Sequence, residues 1–144
     1  MHIAQWMKTE LRTIKPLDTI EHARALMQEH RINQLPVVRD GHLVGILSDR
    51  DLRDAYPSVL ADPLRKPAPD PHAVKVESVM TGNVLTLAPS DGIVAAASLM
   101  RRERVGAVPI VDGKRLVGIL TRSDLLEALV ALGTLVEERQ TAKP

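Results

Sequence analysis

The chain has 144 residues, 44% of them apolar and 26% charged, with one tryptophan, one tyrosine and no phenylalanine, so its core must be Leu, Val, Ile, Ala and Met. That length allows one domain, or two small ones sharing a core. A formal charge of +1 and the lack of cysteine exclude a strong field for nucleic acid or acidic membranes, as well as disulfides, cysteine zinc sites and thiol catalysis, and they fit a reducing cytoplasm.

The opening residues, Met1 through Trp6, lack the basic-then-apolar layout of a secretory signal. Residues 11–14 alternate briefly before Pro16 and predict a short strand. Asp18-x-x-Glu21 predicts a helix start, with Ile20, Ala23, Leu26 and Met27 on one face. Leu35-Pro36-Val37-Val38 and residues 43–47 are β-rich runs on either side of Asp40-Gly41, a hairpin signal. Pro36 lacks a ladder donor and belongs at an edge or a bulge. Pro57, Pro63, Pro67, Pro69 and Pro71 then predict a stiff, extended linker. The same order returns around Asp112-Gly113, with the turn slipped by one residue. Ala95-Ala96-Ala97-Ser98 makes a smooth helix face there, suited to core packing or to close helix contact across a dimer. After Asp124 a final helix carries Leu125, Leu126, Leu129, Val130, Leu132 and Val136, a band wider than one packed face needs. It is either buried within the chain or a dimer surface. Glu127, Gly133 and Thr134 interrupt it, and it is too short to span a bilayer. Residues 137–144 read as a polar, frayed tail.

This order is a repeat. Slid by 73 positions, residues 7–52 fall on residues 80–125 without a gap. Identities include Met7/Met80, Thr13/Thr86, Pro16/Pro89, Asp18/Asp91, Leu26/Leu99, Arg31/Arg104 and Pro36/Pro109. Leu43-Val44-Gly45-Ile46-Leu47 matches Leu116-Val117-Gly118-Ile119-Leu120, and Ser48-x-x-Asp51 matches Thr121-x-x-Asp124. Two copies of strand–helix–strand–strand–helix predict an α/β (α+β) fold with pseudo-two-fold symmetry and two equivalent clefts. The expected division is repeat 1 at 1–56, the proline-rich linker at 57–73, repeat 2 at 74–136 and the tail at 137–144.

Each copy runs from a buried strand into a helix start through Gly-x-x-[Ser/Thr]-x-x-Asp. One such sequence is an ordinary capping box. A helix N-terminus also offers free N–H groups and a partial positive charge to phosphate. The hydroxyl of Ser48 or Thr121 can add a hydrogen bond to that phosphate, and an acid one turn in can accept from a ribose diol. Two copies, each behind the same Leu-Val-Gly-Ile-Leu strand, favour a ligand over a mere cap.

The repeated unit resembles the CBS (cystathionine β-synthase) domain, and the tandem pair resembles a Bateman module. Leu-Pro-Val-Val, the Asp-Gly hairpin and the glycine–hydroxyl–acid motif carry the resemblance over nearly the whole chain. The run from Ser48 to Ala55 and the proline-rich insert look most like the acetoin-utilisation regulatory proteins. Those typically carry an ACT domain, which these residues do not include. The resemblance implies adenosine-type ligands (AMP, ADP or ATP) in clefts between paired units, a homodimer and a regulatory role without a required cofactor. Carried over, it implies that Asp51 and Asp124 hold ribose and that Ser48 and Thr121 meet phosphate. Thr13 and Thr86 would line the clefts, and Ile46 and Ile119 would pack on the purine. Asn33-Gln34 and Gly106-Ala107, just before Pro36 and Pro109, would meet the base edge or reach a phosphate. Asp49-Arg50 follows Ser48 where Arg122-Ser123 follows Thr121, and Gly106-Ala107 stands where the first copy has bulkier Asn33-Gln34, so the clefts are expected to differ in affinity, with the Asp124 site less crowded. A bound ligand would bridge the copies and shift their angle.

Arg101, Arg102 and Arg104 suit a helix C-terminus, while Arg104 or its counterpart Arg31 could fork onto a phosphate. The five histidines have no metal-ligand spacing, and no nucleophile-elbow pattern is present, so no metal site and no enzyme are expected. The chain reads as a cytoplasmic, stand-alone regulatory module that binds an adenosyl ligand and signals to an unidentified protein partner, without nucleic acid or membrane. The alternatives are a ligand-free scaffold, or a sensor of S-adenosylmethionine or a cyclic dinucleotide.

Overall fold

Helix α1 (Ile20–His30) begins where the Thr19 hydroxyl accepts the His22 N–H, and it buries Ile20, Ala23 and Met27 on its predicted face. The structure, a computed structural model, describes residues 1–55, 70 and 72–142. The prolines expected to form a linker, Pro57, Pro63, Pro67, Pro69 and Pro71, lie outside the described residues. The cap falls one residue later than Asp18 predicts. Asp18 instead accepts the Lys15 N–H at 2.9 Å, and its counterpart Asp91 accepts that of Ala88 at 2.8 Å. Both acids therefore close the proline-containing loop ahead of a helix rather than cap the helix itself.

Strand β1 (Gln34–Arg39) pairs antiparallel with β2 (His42–Ser48), and helix α2 (Asp49–Ala55) follows at once. Asp40 and Gly41 both have positive φ, 52° and 79°, the pattern of a type I′ turn. Pro36 takes the edge-and-bulge role predicted for it. β1 has β2 on one side, a register shift at Val37/Val38, and on the other side a parallel bridge from Ile14. The short strand expected at residues 11–14 is no more than that bridge, since Pro16 stops the run. Helix α3 (Ile93–Glu103), strands β3 (Ala107–Asp112) and β4 (Arg115–Thr121), and helix α4 (Arg122–Thr141) repeat the order. Their turn is slipped by one residue, so Gly113 alone has positive φ, 64°, as in a type II′ turn. Residues 137–141, expected to fray, continue α4.

The chain divides into two units. One, the second-repeat unit, is Met1–Leu11, Leu85–Gly113 and Val117–Pro144; the other, the first-repeat unit, is Arg12–Val84 and Lys114–Leu116. The unit boundaries thus do not follow the repeat boundaries, because each leading segment packs away from its own copy. In the second-repeat unit Ile3 is fully buried with Ile93, Ala96, Ile110, Leu120 and Ala128. Its N–H donates to the Asp91 carbonyl, and Lys8 bridges Ile119. In the first-repeat unit Val76 takes the same place among Ile14, Ile20, Leu35, Val37 and Leu47. Its N–H donates to the Asp18 carbonyl, and Thr81 bridges Ile46.

The repeated glycine in Leu-Val-Gly-Ile-Leu is a consequence of this crossing. A Cβ on Gly118 would meet the Met7 Sδ and the Lys8 carbonyl oxygen at 3.1 Å; one on Gly45 would meet the Met80 Sδ and the Thr81 carbonyl oxygen at 3.0 Å. Both lie inside ordinary contact distance, and one obstacle in each case is backbone. Gly118→Ala is expected to lower unfolding free energy by about 1–3 kcal/mol, the usual range for overpacking. Urea denaturation read by circular dichroism checks this, with the Gly45→Ala loss expected to match.

Candidate functional site

In the first-repeat unit the pairing register collects half of the predicted residues on one face. Gln34 lies opposite Ser48, and Pro36 opposite Ile46. Alternation sends Leu35, Val37 and Leu47 to the core, where each is fully buried. Gln34, Pro36, Ile46 and Ser48 therefore line the opposite face. Asp51 stands one turn into α2 and closes a reciprocal cap: its Oδ2 accepts the Ser48 N–H at 2.9 Å, and the Ser48 hydroxyl oxygen accepts the Asp51 N–H at 3.0 Å. Among the described residues no partner holds Asp51 Oδ1. The Asn33 carbonyl accepts the Asp49 N–H at 2.8 Å, so this predicted residue anchors the helix start through its backbone. The Gln34 Oε1 is buried, and among the described residues it is unpaired.

The second-repeat unit has the same frame and a different state. Ala107, Pro109, Ile119 and Thr121 alternate with buried Val108, Ile110 and Leu120. Asp124 is 2% exposed. Its Oδ2 accepts the Thr121 N–H at 2.7 Å and the Thr121 hydroxyl at 2.9 Å. Its Oδ1 accepts the Lys8 ammonium at 2.7 Å. The expectation that Asp124 is the less crowded acid is reversed, because the leading segment brings a cation onto it. The Gly106 carbonyl accepts the Arg122 N–H at 3.1 Å, and the Arg122 guanidinium lies alongside Gly106.

Other predicted residues stay apart. Thr13 and Thr86 are exposed next to the bridging Ile14 and Leu87, and among the described residues no hydrogen bond ties them to either acid. Arg50 and Ser123 are exposed on the first turns of α2 and α4. Lys8 was not a predicted site residue, although its signal is legible: it is a charge where the aligned position of the other copy is Thr81. A groove of about 390 Å³ between α1 and α2, lined by Arg24, Arg31, Arg53 and Asp49 among others, touches the predicted residues at Asn33 and at Arg31, the suggested phosphate fork. Arg31 and Arg104 are both helix C-caps with positive φ, 52° and 56°, a place where glycine is the usual residue. Among the described residues no group of three or more His, Asp or Glu is placed to hold a metal.

The family model described as the CBS domain matches residues 3–58 and 76–131. This chain belongs to the CBS-domain family, as a tandem pair. A CBS domain-containing protein of Dictyostelium discoideum is 40% identical over 135 residues, covering 89% of this chain and 90% of the relative. A solved structure of a protein assigned to acetoin utilization (AcuB) in Vibrio cholerae aligns over 100% of this chain and 98% of its own, at TM-score 0.77 and 27% identity. CBSX2, solved in complex with AMP, aligns over 92% and 98% at TM-score 0.78 and 27% identity. The CBS domain pair of protein MJ0100, solved in complex with 5′-methylthioadenosine and S-adenosyl-L-methionine, aligns over 91% and 97% at TM-score 0.73 and 26% identity. Enzymes that match, a homoserine O-acetyltransferase and an inosine-5′-monophosphate dehydrogenase among them, do so over only 23% and 21% of their length. What those enzymes share with this CBS pair is the CBS portion, not a catalytic domain.

The unequal bonding of the two acids has a measurable consequence. Asp124→Ala removes a buried carboxylate that holds three donors, one of them charged, and is expected to lower stability by about 2–3 kcal/mol. Asp51→Ala removes one side of an ordinary helix cap, at about 1 kcal/mol. Paired urea melts of the two variants read the difference.

Proposed function

We propose that this CBS pair is a regulatory module that binds an adenine nucleotide, or a related adenosyl ligand, at its glycine–hydroxyl–acid motifs and relays the bound state to a partner protein. The observation that carries the reading is the half-used chemistry around Asp51. Among the described residues an Asp51 carboxylate oxygen has no partner; Asp51 caps Ser48, and Ser48 lies opposite Gln34, whose buried Oε1 is likewise unpaired among those residues. Leaving a buried acceptor unpaired is unfavourable, and the exocyclic amine of adenine would pair it. A ribose diol matches the free carboxylate oxygen, and a phosphate matches the Ser48 hydroxyl. Apolar Ile46, on the same face, suits the flat purine. CBSX2 with AMP and MJ0100 with adenosyl ligands support the same ligand class. A ligand acts on a partner only as far as its affinity differs between the states of the pair.

The test is a thermal-shift series with AMP, ADP, ATP, S-adenosylmethionine and cyclic di-AMP on ligand-stripped protein. At a hundred times Kd, one site is expected to add about 2.7 kcal/mol. Asp51→Ala is expected to abolish the shift at its site. A flat response across the series favours a ligand-free scaffold.

The module is also proposed to be a homodimer through α4. Leu126, Leu129, Val130 and Val136 are 61%, 64%, 68% and 53% exposed on that helix, and Val94 on α3 is 78% exposed. Contiguous apolar surface of this kind marks an interaction site. No helix among the described residues is long and apolar enough to cross a membrane. A reducing cytoplasm fits the absence of cysteine. Light scattering is expected to give a dimer mass, and Leu129→Glu with Val136→Glu the monomer mass.

A further inference from the structure

The two acid sites differ by one charge. The Lys8 ammonium lies 2.7 Å from Asp124 Oδ1; that carboxylate is 3% exposed, whereas the Lys8 side chain is 54% exposed. The lysine therefore reaches in from water to cover a buried acid that already holds two Thr121 donors. In the first-repeat unit the matching residue is Thr81. It bridges Ile46 as Lys8 bridges Ile119, and it brings no cation.

We propose that Lys8 sets the ligand class of the Asp124 site, admitting phosphorylated nucleosides and rejecting neutral or sulfonium ones. This rests on the adenosyl reading above. A ribose diol reaches Asp124 only by displacing an ammonium. Neutral O–H donors are weaker partners for a carboxylate than N⁺–H, so an uncharged nucleoside gains too little to displace it. A sulfonium would add a second cation beside the displaced one. A phosphate changes the balance, because the freed ammonium, a point charge on a flexible four-carbon stem, turns to it. Asp124 then passes to the ribose with both charges still partnered. Among the described residues no cation competes for Asp51, and that site takes the nucleoside whatever its 5′ substituent. One repeat would thus sense the adenosyl group and the other the nucleotide.

Calorimetric titration of the full chain carrying Asp51→Ala, which leaves Asp124 as the acid site, tests this with AMP, adenosine and S-adenosylmethionine. AMP is expected to bind about tenfold tighter than the other two, the worth of one hydrogen bond between charged groups. Adding Lys8→Gln keeps an N–H donor for the carboxylate but removes the charge. It is expected to weaken AMP, tighten adenosine and erase the preference, while Lys8→Arg retains it. An AMP-to-adenosine ratio unchanged by Lys8→Gln overturns the proposal and leaves the adenosyl reading standing. No binding of any probe to the unsubstituted chain overturns both. If Lys8→Gln fails to fold, Thr81→Lys in the Asp124→Ala chain decides the matter: the Asp51 site must acquire the preference for AMP, and its failure to do so overturns the proposal.

Discussion

Everything in this molecule depends on a peptide segment lying across a glycine. Met7 and Lys8 pass over Gly118, and Met80 and Thr81 pass over Gly45, so closely that a methyl group at either glycine would collide. Because glycine presents only backbone there, the crossing segment can form a bridge with the next residue of the strand, Ile119 or Ile46. The bridge holds the segment in register, and register decides what comes next to the acid. The anchor for each segment is an apolar residue driven fully out of water, Ile3 in one unit and Val76 in the other. A packing requirement at one backbone position thereby fixes the polar chemistry nearby.

The same frame gives two different sites because packing and chemistry are set by different residues of the crossing segment. Methionine does the covering in both units, so the cores are alike. The next residue is lysine in one unit, where it reaches the acid, and threonine in the other. Asp124 is ion-paired and buried; Asp51 keeps an oxygen without a partner among the described residues. Two sites descended from one pattern can in this way be tuned apart by a single side chain. Their strands, turns and helix starts need not change.

Much of this was legible beforehand. The 3.6-residue spacing of Ile20, Ala23 and Met27, the Asp40-Gly41 turn and the alternation through Leu35 and Val37 each encode a local preference that the fold honours. So does the glycine–hydroxyl–acid box, since a cap is satisfied within four residues. Three things were not legible in that way. Residues 11–14 alternate like a strand, but Pro16 leaves them one bridge. Asp18 competes for the Lys15 N–H before it can cap a helix, and Thr19 takes over. Above all, the Lys8–Asp124 pair joins residues 116 positions apart, and no local pattern announces it. The repeat hinted at it only by contrast, through a lysine where its twin has threonine. The exposure of α4 was likewise left open, since an apolar band looks the same whether it faces a core or a second chain.

The exchange of leading segments also shapes how the molecule is made. Residues 1–11 leave the ribosome well before the strands and helix that receive them, and Lys8 must wait for Asp124, 116 residues later. At about 5–20 residues per second the wait is roughly 5–25 s. The first-repeat unit likewise cannot close when its own helix α2 is finished, because Val76 and Thr81 have yet to be synthesised. Neither half can therefore mature alone during translation. The apolar leading segment, Ile3 and Trp6 among its residues, thus stays without its packing partners until the second repeat is made.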